Sequence, residues 1–257
     1  MIYIMAHKAF DVPELAGYAA LQVGAARSGD LGWLRDDAGE NISAENPYYC
    51  ELTGLYWAWK NRDDAMKGLV HYRRYFTRSA LTGDYAGVLS HDALCALLDG
   101  ADMVVPARKY NHITNREQML KSGMVKERYF QALRECVANR CPEYLKAFDE
   151  YFARNTGHYM NMMVARREVF DAYCAWLFDI LFALERQIAE AWPEDDPKRL
   201  YGYLAERLLN VYIAHNGLRA VERPVANLGV SNYWRWRMMR RNYTNRPRFW
   251  LHSLLQK

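Results

Sequence analysis

Short apolar runs alternate with longer stretches of helical periodicity along this chain. The mostly apolar segments Ile2–Ala6, Met66–Val70 and Ala101–Val105 predict buried strands, and Tyr159–Ala165 and Leu218–Val225 are also strand-like. Strands that alternate with helices predict an α/β fold, a single domain with a largely parallel central sheet and a helical C-terminal part. In such sheets the ligand binds at the carboxyl ends of the strands.

The helical segments dominate the second half of the chain. Asn46-Pro47 is a typical helix start, because Asn caps helices and Pro suits the first helical position, and this helix should run to about Asn61. Asp11–Asn46 is rich in Gly, Asp and Asn, so we expect loops there with at most a short helix. Further helices are expected at Asp92–Leu98, at Arg116–Arg154 with a break near Cys141-Pro142, at Arg167–Ala191 and at Lys198–His215.

Length and composition favour one compact domain in a reducing compartment. The chain has 257 residues, of which 51% are hydrophobic, enough for a sizeable core. Its five cysteines are odd in number and form no CxxC pair, which argues against a zinc site. The apolar residues at the start precede His7-Lys8, whereas a secretory signal has its positive charge before the apolar segment, so we expect no signal peptide. The nearly apolar segment Ala172–Leu184 is too short to span a bilayer. We therefore expect a cytoplasmic protein that is soluble or peripheral.

The charge is unevenly distributed and separates residues 1–230 from a tail, residues 231–257. The formal charge is +4, yet the tail alone carries seven Lys or Arg and no Asp or Glu, so the body is slightly acidic. Trp234, Trp236 and Trp250 lie among these basic residues. Such a tail suits an anionic membrane surface or nucleic acid, and a solvated helix is the third interpretation.

Three polar segments follow predicted strands: His7-Lys8, His71–Arg74 and Pro106–His112. We expect them to converge on one cleft. Arg73 and Arg74 would neutralise a diphosphate, since guanidinium groups bind phosphate oxygens in a bidentate manner. Neighbouring side chains on a strand point in opposite directions, so one arginine should face the cleft and the other be structural.

The loop from Asp36 to Asn46 is rich in carboxylates and amides that suit sugar hydroxyls or a cation. The chain has no Asp-x-Asp motif, through which many sugar-nucleotide transferases hold a divalent metal. No metal site and no cofactor are therefore expected, with arginines taking the place of the cation. The sequence also has no GxGxxG, Walker A, GxSxG or HExxH motif.

Three further residues have side chains suited to catalysis or sugar binding. Asn161 is a candidate for a sugar hydroxyl, and His158 for an acid or a base, although a lone histidine is more often structural. Glu206 and Arg207 form a charged pair in an apolar helix, either a structural ion pair or a catalytic carboxylate oriented by its neighbour.

Two long segments resemble one family. "DDAGENISAENPYYCELTGLYWAWKN" followed by "GLVHYRRYF" resembles a bacterial capsule and O-antigen family, long described as a domain of unknown function and then recognised as galactofuranosyltransferases. "AHK", "LQVGAA", "GHYMNMMVARREVFDAYCAWLFDILFALE" and "GYLAERLLNVYI" are similar to it as well, so the resemblance reaches about Val225. It implies a GT-A-like fold for residues 1–230, a UDP-galactofuranose donor, inversion to a β-linkage and a lipid-linked glycan acceptor at the inner face of the cytoplasmic membrane.

The resemblance also implies the site. Its motifs place the donor at His7, Lys8, Gln22, Asp37, Asn41, Ser43, His71, Arg73 and Arg74. We add Asn161 to these donor-binding candidates, because its side chain could bind a sugar hydroxyl. An inverting transferase needs a general base, for which the candidates in order are Glu206, Asp37 and His158. Alternatives are another UDP-hexose donor such as UDP-galactopyranose, a nucleic-acid-binding protein that uses the tail, and an inactive scaffold. The acidic body and the lack of a known motif weigh against nucleic acid.

Overall fold

The structure, a computed structural model, describes residues 1–240, and within them the main sheet has nine strands. Its strands are β1 (Ile2–Ala6), β2 (Tyr18–Gln22), β3 (Leu34–Arg35), β4 (Met66–His71), β5 (Arg74–Phe76), β6 (Met103–Pro106), β9 (Met163–Arg166), β10 (Ala220–Arg223) and β11 (Val225–Asn227). β7 (Lys109–Tyr110) and β8 (Thr156–Gly157) form a separate antiparallel pair.

The main path of the sheet is β10-β6-β9-β4-β1-β2-β3. β1 pairs in parallel with β2 and β4, β2 with β3, and β6 with β10. β9 is antiparallel to both of its neighbours, β4 and β6, so it alone runs against the other strands of this path. The predicted α/β fold with a largely parallel sheet is confirmed.

The expectation of loops throughout Asp11–Asn46 is wrong, because β2 and β3 lie within it. β2 pairs with β1 along its whole length, from Ile2 opposite Tyr18 to Ala6 opposite Gln22. Its sequence, YAALQ, contains no β-branched residue and is only five residues long, so it lacks the pattern typical of a buried strand. The hydrogen bonds to β1 therefore stabilise this strand, although its own residues have little preference for strand structure.

The helices are α1 (Asn46–Tyr49), α2 (Leu52–Asn61), α3 (His91–Leu97), α4 (Asn115–Lys121), α5 (Glu127–Arg140), α6 (Leu145–Ala153), α7 (Arg167–Ala191) and α8 (Leu200–His215). α7 has the predicted bounds. The predicted helix from Asn46 to Asn61 is two helices instead, because Cys50 adopts a non-helical backbone conformation with a positive φ of 53°. The Asn46 side chain stabilises this break by donating to the carbonyl oxygen of Cys50 at 2.8 Å.

The sheet is buried on both faces. On one face α2 and α5 to α8 enclose the larger core, to which α7 contributes Phe170, Leu177, Leu181 and Leu184. On the other face Ile2, Ile4, Val70 and Val104 pack beneath α3. Each such side chain stabilises the fold by roughly 1.5–3 kcal/mol. Burial on both faces explains why these strands are mostly apolar rather than alternating.

The C-terminal part of the described chain returns to the sheet. The predicted strand Leu218–Val225 is two strands, β10 beside β6 and β11 antiparallel to β5, with Asn227 opposite Arg74. A helix then covers residues 232–240, and the remainder of the tail lies outside the described residues. In the part of the chain that the structure describes, no helix is long and apolar enough to cross a membrane.

Candidate active site

The site is built at the carboxyl edge of β1 and β4, which lie side by side with Met5 opposite His71. The ring of Tyr72 is its centre. The His7 ring lies 5.6 Å from it, the Lys8 ammonium 5.8 Å and the Arg73 guanidinium 4.8 Å. Two of the three predicted segments therefore meet around one aromatic ring. In the third, Lys109-Tyr110 pairs with β8 instead.

The electric field at this point is positive. The pKa of His7 is lowered first by burial and then by the charges of Lys8, Arg73 and Arg199. His7 is therefore neutral near pH 7. Sequence reasoning missed Arg199, an exposed residue that directly precedes α8.

Arg73 and Arg74 differ in their surroundings. Arg73 is exposed and lies in the turn between β4 and β5, whereas the half-buried Arg74 begins β5 opposite His71. The expectation was that alternation along one strand would give the two arginines different roles. Their surroundings differ instead because Arg73 lies in a tight turn and Arg74 lies in a strand. Arg73 is covered on one side by Gly229, where an added Cβ would come within 2.4 Å of its Cδ. Among residues 1–240, neither arginine has an acidic partner within salt-bridge distance.

A second group of contacts, here called the wall, is built on Asn161. Its amide nitrogen donates to Glu51 Oε1 and to the carbonyl oxygen of Gly202, both at 2.8 Å. Its Oδ1 is buried without a partner among the described residues. His71 is tied to the same wall, since its Nε2 lies 2.7 Å from the carbonyl oxygen of Met160. The wall thus connects the end of β4 to the starts of α2 and α8.

Backbone strain is concentrated in this wall. In the described chain, four residues other than glycine have a positive φ: Cys50 at 53°, Met160 at 84°, Asn161 at 49° and Arg199 at 63°. Cys50 contacts Gly202, where an added Cβ would lie 3.1 Å from the Cys50 Cβ. Such conformations cost on the order of 1–3 kcal/mol each and cluster at functional sites. The strain makes this wall a candidate functional region.

Glu206 projects from α8 next to the wall. Burial raises its pKa above the usual range, the charge of Arg207 opposes that effect, and Glu51 adds to it. Arg207 holds one carboxylate oxygen at 2.7 Å and is itself stacked 3.6 Å from the centre of the Tyr203 ring. Glu206 is therefore a carboxyl group held in one orientation with a weakened preference for ionisation.

Three other predicted donor residues, Gln22, Asn41 and Ser43, shape the neighbouring loops. Gln22 donates to the carbonyl oxygen of Gly29 at 2.6 Å and accepts from the Leu31 amide at 3.0 Å. Asn41 donates to backbone oxygens within its own turn. Ser43 donates to the buried carboxylate of Asp36, which also accepts from the amides of Gly24 and Ala25. These polar atoms are occupied by the protein itself.

The two remaining base candidates have other partners. Asp37 binds the guanidinium of Arg35 at 2.6 and 3.1 Å, and hydrogen bonding to Arg35 lowers its pKa. His158 is buried, with Nδ1 2.7 Å from the carbonyl oxygen of Pro106, and burial lowers its pKa. It lines a separate cavity of about 370 Å³ between α6 and α8.

Potential metal ligands are dispersed. Within residues 1–240, no three His, Cys, Asp or Glu side chains lie close enough together to hold an ion. The cations around Tyr72 supply the positive charge of the site.

Comparison with known proteins identifies one similar solved structure and one matching family model. No curated protein matches the chain. The structure is similar to that of apo WbbM, a bifunctional glycosyltransferase, with a TM-score of 0.79 and 30% identity over 89% of this chain. The chain spans 45% of the length of that protein. This likeness fits a GT-A-like fold. The family model described as "Domain of unknown function (DUF4422)" matches residues 1–217, and the chain therefore belongs to that family.

Proposed function

We propose that this protein is a glycosyltransferase that moves galactofuranose from UDP-galactofuranose to a lipid-linked cell-surface glycan, with inversion to a β-linkage. One observation carries the proposal. Cations that have no acidic partner within residues 1–240 lie around Tyr72, and a strained wall is tied through His71 to the same strand end. The wall holds Glu51, and Glu206 lies beside it. The likeness to a glycosyltransferase supports the class of reaction. The galactofuranose donor rests on the resemblance of the sequence motifs, and another UDP-hexose is the alternative.

The cations act on the leaving group. As the bond to the anomeric carbon breaks, negative charge grows on the diphosphate of UDP. Lys8 and Arg73 face this charge from the ends of β1 and β4, and Arg199 adds to the field from the start of α8. Preorganised charge of this kind lowers the barrier because no group has to reorganise during the reaction. We expect it to replace a divalent metal.

Glu206 acts on the acceptor. An inverting transfer needs a base that removes the proton of the acceptor hydroxyl as its oxygen attacks from the side opposite the diphosphate. A carboxylate with a raised pKa is a stronger base than an exposed one, and the ion pair with Arg207 keeps it oriented. Asp37 is a weaker candidate, because its pKa is lowered. His158 is also weaker, because its Nδ1 is committed to Pro106.

The decisive experiment is a donor panel. The purified protein would be offered UDP-galactofuranose, UDP-galactose and UDP-glucose, with a lipid-linked glycan as acceptor, and UDP release and product would be measured. We expect turnover with UDP-galactofuranose and stabilisation against heat by UDP. Turnover with another UDP-hexose alone would preserve the class and exclude the donor. If a folded protein shows no UDP-dependent rise in melting temperature and no turnover, the proposal is wrong.

A further inference from the structure

Exposed apolar side chains are concentrated on the helix of residues 232–240. Five large ones are between 39% and 60% exposed, namely Tyr233, Trp234, Trp236, Met238 and Met239. In the rest of the described chain only Val12, Leu34 and Leu81 are comparable. Scattered apolar residues are normal on a protein surface, whereas a contiguous group marks an interaction surface.

Arg235 fixes which side of this helix faces outward. Its side chain is buried and donates to the carbonyl oxygen of Thr82 at 2.5 Å. A helix turns by about 100° per residue, so the side opposite Arg235 carries Tyr233, Arg237 and Arg240. Trp234 and Trp236 flank that side. The contact with Thr82 also places the helix beside the exposed Leu81.

Aromatic rings and cations are combined on the outward side. The Arg237 guanidinium lies 4.9 Å from the Trp234 ring centre, and that of Arg240 lies 5.3 Å from the Trp236 ring centre. Residues 231–240 contain no Asp or Glu. Trp and Tyr rings prefer the level of lipid headgroups, and arginines there meet the phosphates of anionic lipids.

We propose that the helix of residues 232–240 docks the protein on the surface of a bilayer that contains anionic lipid. The exposed rings of Tyr233, Trp234 and Trp236 favour a membrane over nucleic acid, since a bilayer offers an apolar interface as well as phosphates. The inference stands on this surface and does not require the proposed function.

The position of the helix relates the bilayer to the cleft. The amide of Leu228 donates to the carbonyl oxygen of Arg73 at 2.8 Å, and Gly229 packs against the Arg73 side chain. The helix begins three residues later. A lipid surface bound there lies next to the cationic end of the site. If the proposed function holds, this is where a lipid-linked acceptor is delivered.

The test is flotation of the full-length protein with vesicles of phosphatidylcholine, either alone or mixed with phosphatidylglycerol. We expect binding only to the mixed vesicles, weakened by salt. Trp234→Ala/Trp236→Ala and Arg237→Glu/Arg240→Glu should each reduce the bound fraction by about tenfold or more. Lys121→Glu/Arg186→Glu, a matched charge reversal at exposed positions on α4 and α7, should leave it unchanged.

UDP-induced thermal stabilisation of the same preparations separates this inference from the proposed function. Variants that lose vesicle binding but keep their UDP response support docking by this helix. The inference is overturned if the wild type binds neither kind of vesicle, or if the two double variants in residues 232–240 float with the mixed vesicles as well as the control does. The inference is also overturned if the wild type binds duplex or single-stranded nucleic acid tightly but does not bind vesicles, and if the Arg237→Glu/Arg240→Glu variant loses the binding of nucleic acid.

Discussion

Glu206 and Arg207 are neighbours on α8 and form an ion pair at 2.7 Å, yet they differ sharply in exposure, 21% for the Glu206 side chain and 2% for that of Arg207. The guanidinium is held from several sides. It donates to the carbonyl oxygen of Tyr203 at 3.0 Å and to Gln118 Oε1 at 3.0 Å. The buried partner is thus fixed by the protein, and it holds the partly exposed carboxylate in one orientation.

Glu206→Gln should lower the transfer rate by roughly 10²–10⁴-fold, the usual contribution of a general base, while the amide keeps the shape of the side chain. Binding of UDP should change little, because Glu206 is not among the cations. Rates and UDP affinity measured on the same sample check this. A variant that keeps its rate would remove Glu206 as the base and direct attention to Glu51.

The pH dependence of Glu206 has opposite signs for rate and stability. Its pKa in the folded protein lies above the usual 4.5, so the native state binds the proton more tightly than the unfolded chain does. Its contribution to stability is therefore lost as the pH rises through the window between the two pKa values, whereas the rate rises as the base ionises. Denaturant titrations and kcat against pH should show both trends, and Glu206→Gln should flatten the stability trend. A rate that falls across this window contradicts the assignment.

Arg73→Ala should reduce turnover by roughly 10²-fold, by analogy with removal of one preorganised donor from an active site. Arg74→Ala should reduce it less, because Arg74 begins β5 and is half-buried, whereas Arg73 is exposed beside Tyr72. Arg78→Ala removes an exposed arginine just beyond the same hairpin and serves as the control. Near wild-type rates for a folded Arg73→Ala variant would make this arginine structural.

Activity should survive EDTA. The expectation comes from the missing Asp-x-Asp motif and from the cations around Tyr72, which supply charge to the diphosphate. UDP release in EDTA-treated and untreated protein is the measurement. Loss of activity with EDTA that manganese or magnesium restores would refute metal independence. Asp37 would then be the first ligand to test, because the Asp36 carboxylate is enclosed by Gly24, Ala25 and Ser43.

The sequence predicted those parts of the fold that have strong local patterns. β1 and β6 are continuous apolar runs, β4 is mostly apolar, and α7 has helical spacing, so their burial is apparent from the residues alone. β2 was missed because its Ala-rich sequence has no strand propensity of its own and is a strand only beside β1.

The candidate site was only partly predictable, for a related reason. His7, Lys8, Arg73 and Glu206 were found as polar or charged residues in apolar contexts. Arg199 was missed, because a left-handed conformation at an arginine leaves no mark on the sequence. Glu51 was hidden within a predicted continuous helix that Cys50 interrupts. Tertiary contacts, rather than propensity, impose both features.

The left-handed conformation of Arg199 gives a test that separates function from structure. An L-residue other than glycine pays roughly 1–2 kcal/mol for such a φ, whereas glycine adopts it freely but loses more entropy on folding. Arg199→Gly should therefore leave the free energy of unfolding unchanged or raise it by about 1 kcal/mol at most. Arg199→Ala removes the same charge without relieving the strain.

If the residue is kept for its charge, both Arg199 variants should lose UDP affinity and turnover together, by roughly tenfold or more, although only the glycine variant relieves the strain. Arg199→Lys should retain part of the activity, since it keeps the charge and loses the bidentate donor. Lys198→Ala, which removes an exposed cation one position earlier, is the control. Denaturant unfolding, UDP titration and turnover would be measured on all four proteins. An Arg199→Gly variant with full activity would show that this strained arginine serves the start of α8 alone, and the diphosphate would then depend on Lys8 and Arg73.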